Sequence, residues 1–490
     1  MTPTDEQLAI YSWCATGSGH GVIDAKAGTG KTTTIINALP HMAGSVYYGA
    51  FNKKMAEELQ ARLTGKHALR ATASTIHSAG YAAMKAHLNG KMPKNLGDDK
   101  LLELAGGRKK KEAYKIARAV SLGKKYGIGL PEINIEWADI FERHDIDVGE
   151  DIENFVFLCE DVLRRSNESG MDQMDYDDMI YLPLLWNAPF KKYDWNVLDE
   201  AQDISTIRLL LAKRQMKPGS RLLAVGDPNQ AIYGFTGADV ESMSNIVRDF
   251  SAQVFPLSVT WRCPTSVVES IHHIVPDIKA RPGAPAGEVR VISRKDYPDE
   301  VRYGDMVLCR LNKPLVAEAL RCIREGLRAR IEGRDLGKGL IALANRRRWH
   351  DLEDLEYNLE AILEKEHRKA MEADSRAAQA KYERMQDQVD TLKILIGRAY
   401  EVGARNPSAF ASMIDSLFGD NVQSSDSITF SSVHKAKGLE NPRVFILGRF
   451  ELMPFKFAKL EWEMQQEDNL IYVAHTRAKE TLFLVGEPPL

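Results

Sequence analysis

The sequence predicts an α/β protein of two lobes, each built on a parallel sheet and each interrupted by a mostly helical insertion. Three observations carry this expectation. Short β-like runs recur in two sets and alternate with helical patterns, which is how parallel sheets covered on both faces read. Each set is broken by a long, polar, helical stretch. A loop of small residues joins the first strand to the next helix. A length of 490 residues leaves room for about two to four domains.

The elements follow in order. The first set is Gly21–Asp24, Ser45–Ala50, Leu69–Ala73, Asn196–Asp199, Arg221–Gly226 and Val254–Leu257. The pattern turns helical and polar between about residues 85 and 170. The second set is Asp305–Cys309, Ala329–Glu332, Ile428–Ser432, Arg443–Leu447 and Thr481–Val485, interrupted over about 334–425. Within that interruption apolar residues fall at 378, 382, 385, 389, 392 and 396. Steps of 4 and 3 give an amphipathic helix with one buried stripe. The stripe is short for a dimeric coiled coil, so packing inside a helical subdomain is expected. The expected division is 1–85 with 170–255 for the first lobe and 86–169 for its insertion. The second lobe takes 256–333 with 426–490, and its insertion 334–425. There is no internal repeat and no low-complexity tract.

Composition narrows the class. Hydrophobic content of 44% and charged content of 27% are ordinary for a globular protein. No apolar run approaches the roughly 20 residues that span a bilayer, and the polar, acidic start is not a signal peptide. Cys14, Cys159, Cys263, Cys309 and Cys322 lack paired metal-ligand spacing and read as reduced thiols of a cytoplasm. A net charge of −3 excludes a histone-like coat, but not a local basic stripe. Residues 91–130 carry 11 Lys/Arg against 4 Asp/Glu, and residues 131–180 carry 3 Arg against 16 Asp/Glu. The run Arg108-Lys109-Lys110-Lys111 reads either as a solvated helix face or as a surface that attracts phosphates.

The chemistry concentrates at strand ends. Ala25-Lys26-Ala27-Gly28-Thr29-Gly30-Lys31-Thr32 follows the first strand, with Thr33 opening a helix. Small residues let backbone N–H groups approach phosphates, and the helix start adds positive potential. Lys31 would pair with the β- and γ-phosphates of ATP, and the Thr32 hydroxyl would join a Mg²⁺ shell. Ala25 stands where the general pattern has its first glycine. Asp199-Glu200 ends a strand: one carboxylate can hold Mg²⁺ and its neighbour can polarise the attacking water. Gln230, in Gly226-Asp227-Pro228-Asn229-Gln230, could sense the γ-phosphate. Arg262 in Thr260-Trp261-Arg262-Cys263-Pro264 and Arg477 in Ala474-His475-Thr476-Arg477-Ala478 would by themselves read as surface residues; only the resemblance below makes them cations that stabilise transition-state charge.

In this order the motifs resemble the UvrD/Rep family of superfamily 1A DNA helicases, across nearly the whole chain. Gln7 matches the adenine-reading glutamine, and the loop Ala25–Thr32 the phosphate loop. Ala50-Phe51-Asn52-Lys53-Lys54 resembles motif Ia and Thr75-Ile76-His77 motif Ib. Asp199–Asp203 resembles motif II, the run Gly226–Ala238 motif III, and Thr260-Trp261-Arg262 motif IV. Ser432–Glu440 resembles motif V; Glu467 and Tyr472–Ala478 resemble motif VI.

The resemblance implies two RecA-like lobes, 1A and 2A, with insertions 1B and 2B. ATP would lie between the lobes, and single-stranded DNA would cross both, with translocation of 3′-to-5′ polarity. It further implies adenine stacking by Trp261, nucleotide contacts from Gly438 and Glu440, and DNA contacts from Phe51, Asn52, Thr75, His77, Tyr233, Phe235 and His434. A base stacked on a ring gains roughly 1–3 kcal/mol whatever its identity, which suits sequence-independent stepping.

The departures are Thr236, where motif III usually has Arg, and Thr-Trp-Arg-Cys where motif IV usually reads Asn-Tyr-Arg-Ser. Short insertions and an end 13 residues after Arg477 suggest a compact phage or bacterial enzyme without an appended nuclease or partner-binding tail. The expected activity is an ATP-driven DNA helicase and translocase acting on single strands and on single-strand/duplex junctions. It would be a monomeric core with no membrane association, and its protein partners are not indicated. Two alternatives remain open: a translocase that strips proteins with little unwinding, and a DNA clamp switched by ATP.

Overall fold

Residues that alternate along the strands of the first sheet enter two different cores. In the computed structural model Val22, Leu222 and Ala224 join one apolar cluster, and Ile23, Leu223 and Val225 join another. Both faces are therefore covered, as a parallel sheet requires. The structure describes residues 2–50, 52–63, 70–95, 97, 99–107, 110–144, 146, 148, 151–232, 242–373, 376–419, 425–456, 458 and 461–487. The chain divides into two compact units, Met1–Ser258 and Val259–Leu490.

The first unit carries strands β1 Gly21–Ala25, β2 Val46–Ala50, β3 Ala71–Thr75, β4 Tyr193–Leu198, β5 Met216–Gly226 and β6 Gln253–Leu257. Their spatial order is β3-β2-β4-β5-β1-β6, and every pairing is parallel. The third strand begins at Ala71, opposite Val46, rather than at the expected Leu69, which lies outside the described residues. Helices Asp99–Leu104, Lys110–Tyr126, Trp137–Arg143 and Ile152–Glu168 fill the expected interruption. Their Ile116, Val120, Trp137, Phe155 and Val162 belong to the same cluster as Val22 and Leu222, so these helices share a core with one face of the sheet.

The second unit carries β7 Glu288–Ile292, β8 Met306–Cys309, β9 Ala329–Glu332, β10 Phe418–Gly419, β11 Ile428–Ser432, β12 Asn441–Leu447 and β13 Ala478–Val485. Their order is β7-β13-β12-β8-β11-β9-β10, again parallel throughout. The two outermost strands, β7 and β10, were not anticipated. Edge strands are short or half exposed and carry polar residues, such as Glu288 and Arg290, that hide the alternation. The predicted stripe lies on helix Arg376–Val402. Its Val389, Leu392 and Ile396 are buried with Leu355 and Leu359 of helix Leu352–Ala373 and with Phe430 and Phe445 of the sheet. It therefore packs inside the unit. The five cysteines are buried free thiols. Among the described residues no helix is long and apolar enough to cross a membrane.

Candidate functional site

The loop after β1 turns into helix Lys31–Ala38 through two left-handed glycines, Gly28 (φ 73°) and Gly30 (φ 82°), a conformation that L side chains resist. Gly30 caps the helix without a side-chain hydrogen bond, the arrangement in which a helix start suits an anion. Lys26 is buried and bonds Asp24 at 3.1 Å, and its carbonyl accepts from the Thr29 hydroxyl at 2.8 Å. These contacts shape the loop, and Lys31 Nζ lies 3.6 Å from Glu200 Oε1. Ala25 and Ala27 are buried; Thr32 is half-buried and Thr33 exposed on the first turn. Gln7 Nε2 donates to the Thr34 hydroxyl at 2.9 Å, while Gln7 Oε1 accepts from Thr4 N at 3.1 Å. Gln7 thus joins the first helix, Asp5–Thr16, to the helix after the loop.

The acidic pair leaves the carboxyl end of β4. Asp199 is buried and accepts from the Tyr48 hydroxyl of neighbouring β2. Glu200 is a left-handed non-glycine residue (φ 49°), a conformation that costs about 1–3 kcal/mol and collects at functional sites. Its carboxylate accepts from Gln202 Nε2 at 2.5 Å. Gln202 Oε1 accepts from Asp227 N at 3.0 Å, and Gln230 Nε2 donates to Asp227 Oδ2 at 2.7 Å. An unbroken polar line therefore runs from Lys31 through Glu200, Gln202 and Asp227 to Gln230. It lies off the carboxyl ends of β1, β4 and β5, where open α/β sheets hold ligands. Tyr48, Gln202 and Asp227 were not singled out from sequence. The signal for Tyr48 was its place beside Val197, a pairing that only the sheet reveals.

Burial, with the Glu200 carboxylate beside it, pushes the Asp199 carboxyl up to about 6. The donor set of Thr32 hydroxyl and Asp199 carboxylate is oxygen-only and fits a hard divalent cation. Cation binding needs the ionised carboxylate. Mg²⁺-dependent nucleotide affinity is therefore expected to fall by about tenfold per pH unit below about 6. The sign for stability is the reverse: between its ordinary value of 3.8 and about 6 the folded state holds the extra proton, so this group's contribution falls as pH rises. Titrating a fluorescent ATP analogue with and without Mg²⁺ from about pH 5 to 8 checks this. A flat Mg²⁺ effect in native protein, or the same slope in Asp199→Asn, would refute it.

The second unit gathers its arginines at the amino ends of β12 and β13. Arg262 Nε pairs with Glu440 at 2.7 Å, and its Nη1 donates to the Thr476 carbonyl at 3.3 Å. Arg477 is 1% exposed and donates to the carbonyls of Val473 and Leu439 and to the Thr476 hydroxyl. Burial and the neighbouring Arg262 push it down to about 9, so it stays cationic at neutral pH. Lys479 also meets Glu440, at 3.0 Å. Trp261 and Gly438 adjoin this cluster in sequence; Gly438 is left-handed (φ 90°) with open space where a Cβ would stand. His434 lies at the opposite edge of the same sheet, after β11. Burial and the Arg310 charge push it down to about 3. Arg310, not anticipated, follows β8, pairs with Glu467 at 2.7 Å and stacks 5.2 Å over Phe455.

Of the residues expected to touch nucleic acid, Asn52 caps helix Lys53–Arg62 through Met55 N, and Thr75 caps helix Ile76–His87 through Ser78 N. His77 stacks on Tyr176, ring centroids 4.2 Å apart, and Tyr176 is 54% exposed. Burial pushes His77 down to about 3, so its imidazole is uncharged at neutral pH. Tyr176 was missed because it sits in the acidic run Asp175-Tyr176-Asp177-Asp178. Phe51, Tyr233, Phe235 and Thr236 lie outside the described residues, as do Arg108 and Lys109.

Residues 10–236 match an AAA domain model, and residues 291–486 match the UvrD-like helicase C-terminal domain. The chain is similar to ATP-dependent DNA helicase Rep of Buchnera aphidicola subsp. Baizongia pistaciae, 24% identical over 260 residues, covering 48% of this chain and 37% of that protein. It is 26% identical to Rep of Escherichia coli over 286 residues, 53% of this chain and 41% of that protein. It is also 32% identical to ATP-dependent DNA helicase srs2 of Schizosaccharomyces pombe, over 22% of this chain and 13% of that protein. The matched segments span less than half of each of these relatives.

Proposed function

Starting from the membership of this chain in the UvrD/Rep-like superfamily 1 helicases, we propose that it is an ATP-dependent 3′-to-5′ DNA helicase and single-stranded DNA translocase. The observation that carries the reading is the polar line from Lys31 to Gln230 beside a buried carboxyl held near 6. Lys31 and the N–H groups after Gly30 bind the phosphates. Gln7 and Trp261 address the adenine, and Glu440 and Gly438 the rest of the nucleotide. Thr32 and Asp199 would hold Mg²⁺, which neutralises phosphate charge when bound. Glu200, oriented by Gln202, takes a proton from the attacking water. Arg262 and Arg477 stabilise charge on the transferring phosphoryl group. Gln230 loses or gains its phosphate contact on hydrolysis, and Asp227 and Gln202 carry that change back to Glu200.

DNA would be held by the His77–Tyr176 surface, His434, Asn52 and Thr75, together with Phe51, Tyr233 and Phe235. The division into 1A, 1B, 2A and 2B at the boundaries given above, a monomeric core, single-strand/duplex junctions as substrate and a cytoplasmic setting belong to the same proposal. A comparison of duplexes with a 3′ or a 5′ tail, with ATP hydrolysis followed in parallel, tests it. Unwinding is expected from the 3′ tail. Preference for the 5′ tail contradicts the polarity, and hydrolysis that stops at one ATP per protein favours a switched clamp.

A further inference from the structure

Four charged side chains meet in the interior of the first unit. Lys100 and Lys124 are fully buried, as is Asp178, and Asp175 is 3% exposed. Lys124 Nζ donates to Asp175 at 2.5 Å, to Asp178 at 2.6 Å and to the Ser166 hydroxyl at 2.9 Å. Lys100 Nζ donates to Asp178 at 2.7 Å and to the Ser166 carbonyl at 2.9 Å. Two cations thus face two anions, each with further hydrogen bonds. Such a cluster is weak evidence for stability, because apolar residues of the same volume serve as well; what it can supply is a unique geometry.

The geometry it supplies is that of one turn. Asp175 N donates to Asp178 Oδ2 at 3.0 Å and Asp178 N to Asp175 Oδ1 at 2.8 Å, a reciprocal clasp. Between them, Asp177 accepts from Ser121 Oγ at 2.6 Å. Lys100, Lys124 and Ser166 come from helices Asp99–Leu104, Lys110–Tyr126 and Ile152–Glu168. Three helices of the expected insertion therefore grip the turn that presents Tyr176, and the Tyr176 ring lies on His77.

We infer that Lys100 and Lys124 are positioning residues for nucleic-acid binding: through Asp175 and Asp178 they fix the Tyr176–His77 ring pair as a stacking platform. The helical insertion thereby acts on the polymer through a buried charge network. The inference rests on the reading that single-stranded DNA lies on that platform. The variant Lys124→Met/Asp175→Asn keeps the charge balanced. Its affinity for an oligo(dT) strand, by fluorescence anisotropy, is expected to fall about tenfold, as for Tyr176→Ala, since one stacked base is at stake. ATP-analogue binding is expected to stay unchanged. Adding Tyr176→Ala to the pair is expected to give no further loss.

Losses that multiply, or a pair that binds normally while Tyr176→Ala does not, overturn the positioning role. Normal binding by Tyr176→Ala overturns the inference at its premise, and identifies the platform rather than the lysines as the error. If the paired variant does not fold, Ser166→Ala removes one Lys124 acceptor and should lower affinity about two- to fivefold, again without effect in a Tyr176→Ala background. An additive effect there overturns the inference.

Discussion

Lys31→Ala is expected to lower DNA-stimulated ATP hydrolysis by about 10²–10³-fold or more, the scale on which loss of one charge-stabilising group is felt. Lys31 is the cation of a loop whose other lysine, Lys26, is buried against Asp24. Lys26 is therefore not free to replace it. The substitution also removes the charge that partly offsets burial at Asp199, so the carboxyl should rise further and Mg²⁺ should bind more weakly at neutral pH. The fold should survive, because Lys31 stands on the first turn of a helix whose Ile35 and Ala38 supply the packing. Steady-state phosphate release with and without DNA, with circular dichroism as the control, measures the outcome. DNA-stimulated hydrolysis near the native rate would overturn the role given to the loop.

Arg262→Ala is the second large effect. An arginine brought to a transferring phosphoryl group is worth about 10³–10⁵ in kcat. Because that contact is made in the transition state, kcat should fall while affinity for ATP changes little. Arg262 is the better test of the two arginines. Its side chain is 18% exposed, and Glu440 keeps Lys479 at 3.0 Å when the guanidinium is gone. Arg477 is enclosed and hydrogen-bonded to two backbone carbonyls, so its loss would mix chemistry with unfolding. Arg262→Lys should recover little, since an ammonium cannot reproduce the planar fork. A weakened ATP affinity with unchanged kcat would instead make Arg262 a binding residue.

Much of this was legible in the residues. Both sheets are announced by apolar runs because a parallel strand buried on both faces has no polar alternation to hide. The phosphate loop and the Asp199-Glu200 pair can be read because their chemistry needs fixed residue types at fixed spacing. What escaped depends on neighbours distant in sequence. Tyr48 reaches Asp199 only because β2 lies beside β4. Gln202 and Asp227 matter only as links between Glu200 and Gln230. Lys100 and Lys124 flank the run Arg108–Lys111 within the basic stretch 91–130, where charge alone suggests solvent or phosphate contact, yet both are enclosed. Tyr176 was masked by the carboxylates that clasp its turn.

In the second unit the arginines stand before β12 and β13, while His434 and Arg310 stand after β11 and β8. The two groups occupy opposite rims of one sheet, separated by strands of four to eight residues, or about 13–26 Å at the usual rise. A sheet packed tightly in this way behaves as a stiff lever arm. On the proposed translocation, a tilt of about 10° pivoted at one rim would swing the other by about 2–5 Å, comparable with the roughly 3.4 Å between successive nucleotides of a stacked strand. The stroke length would then be set by how long the strands are, and lengthening them would change the gearing without touching either rim.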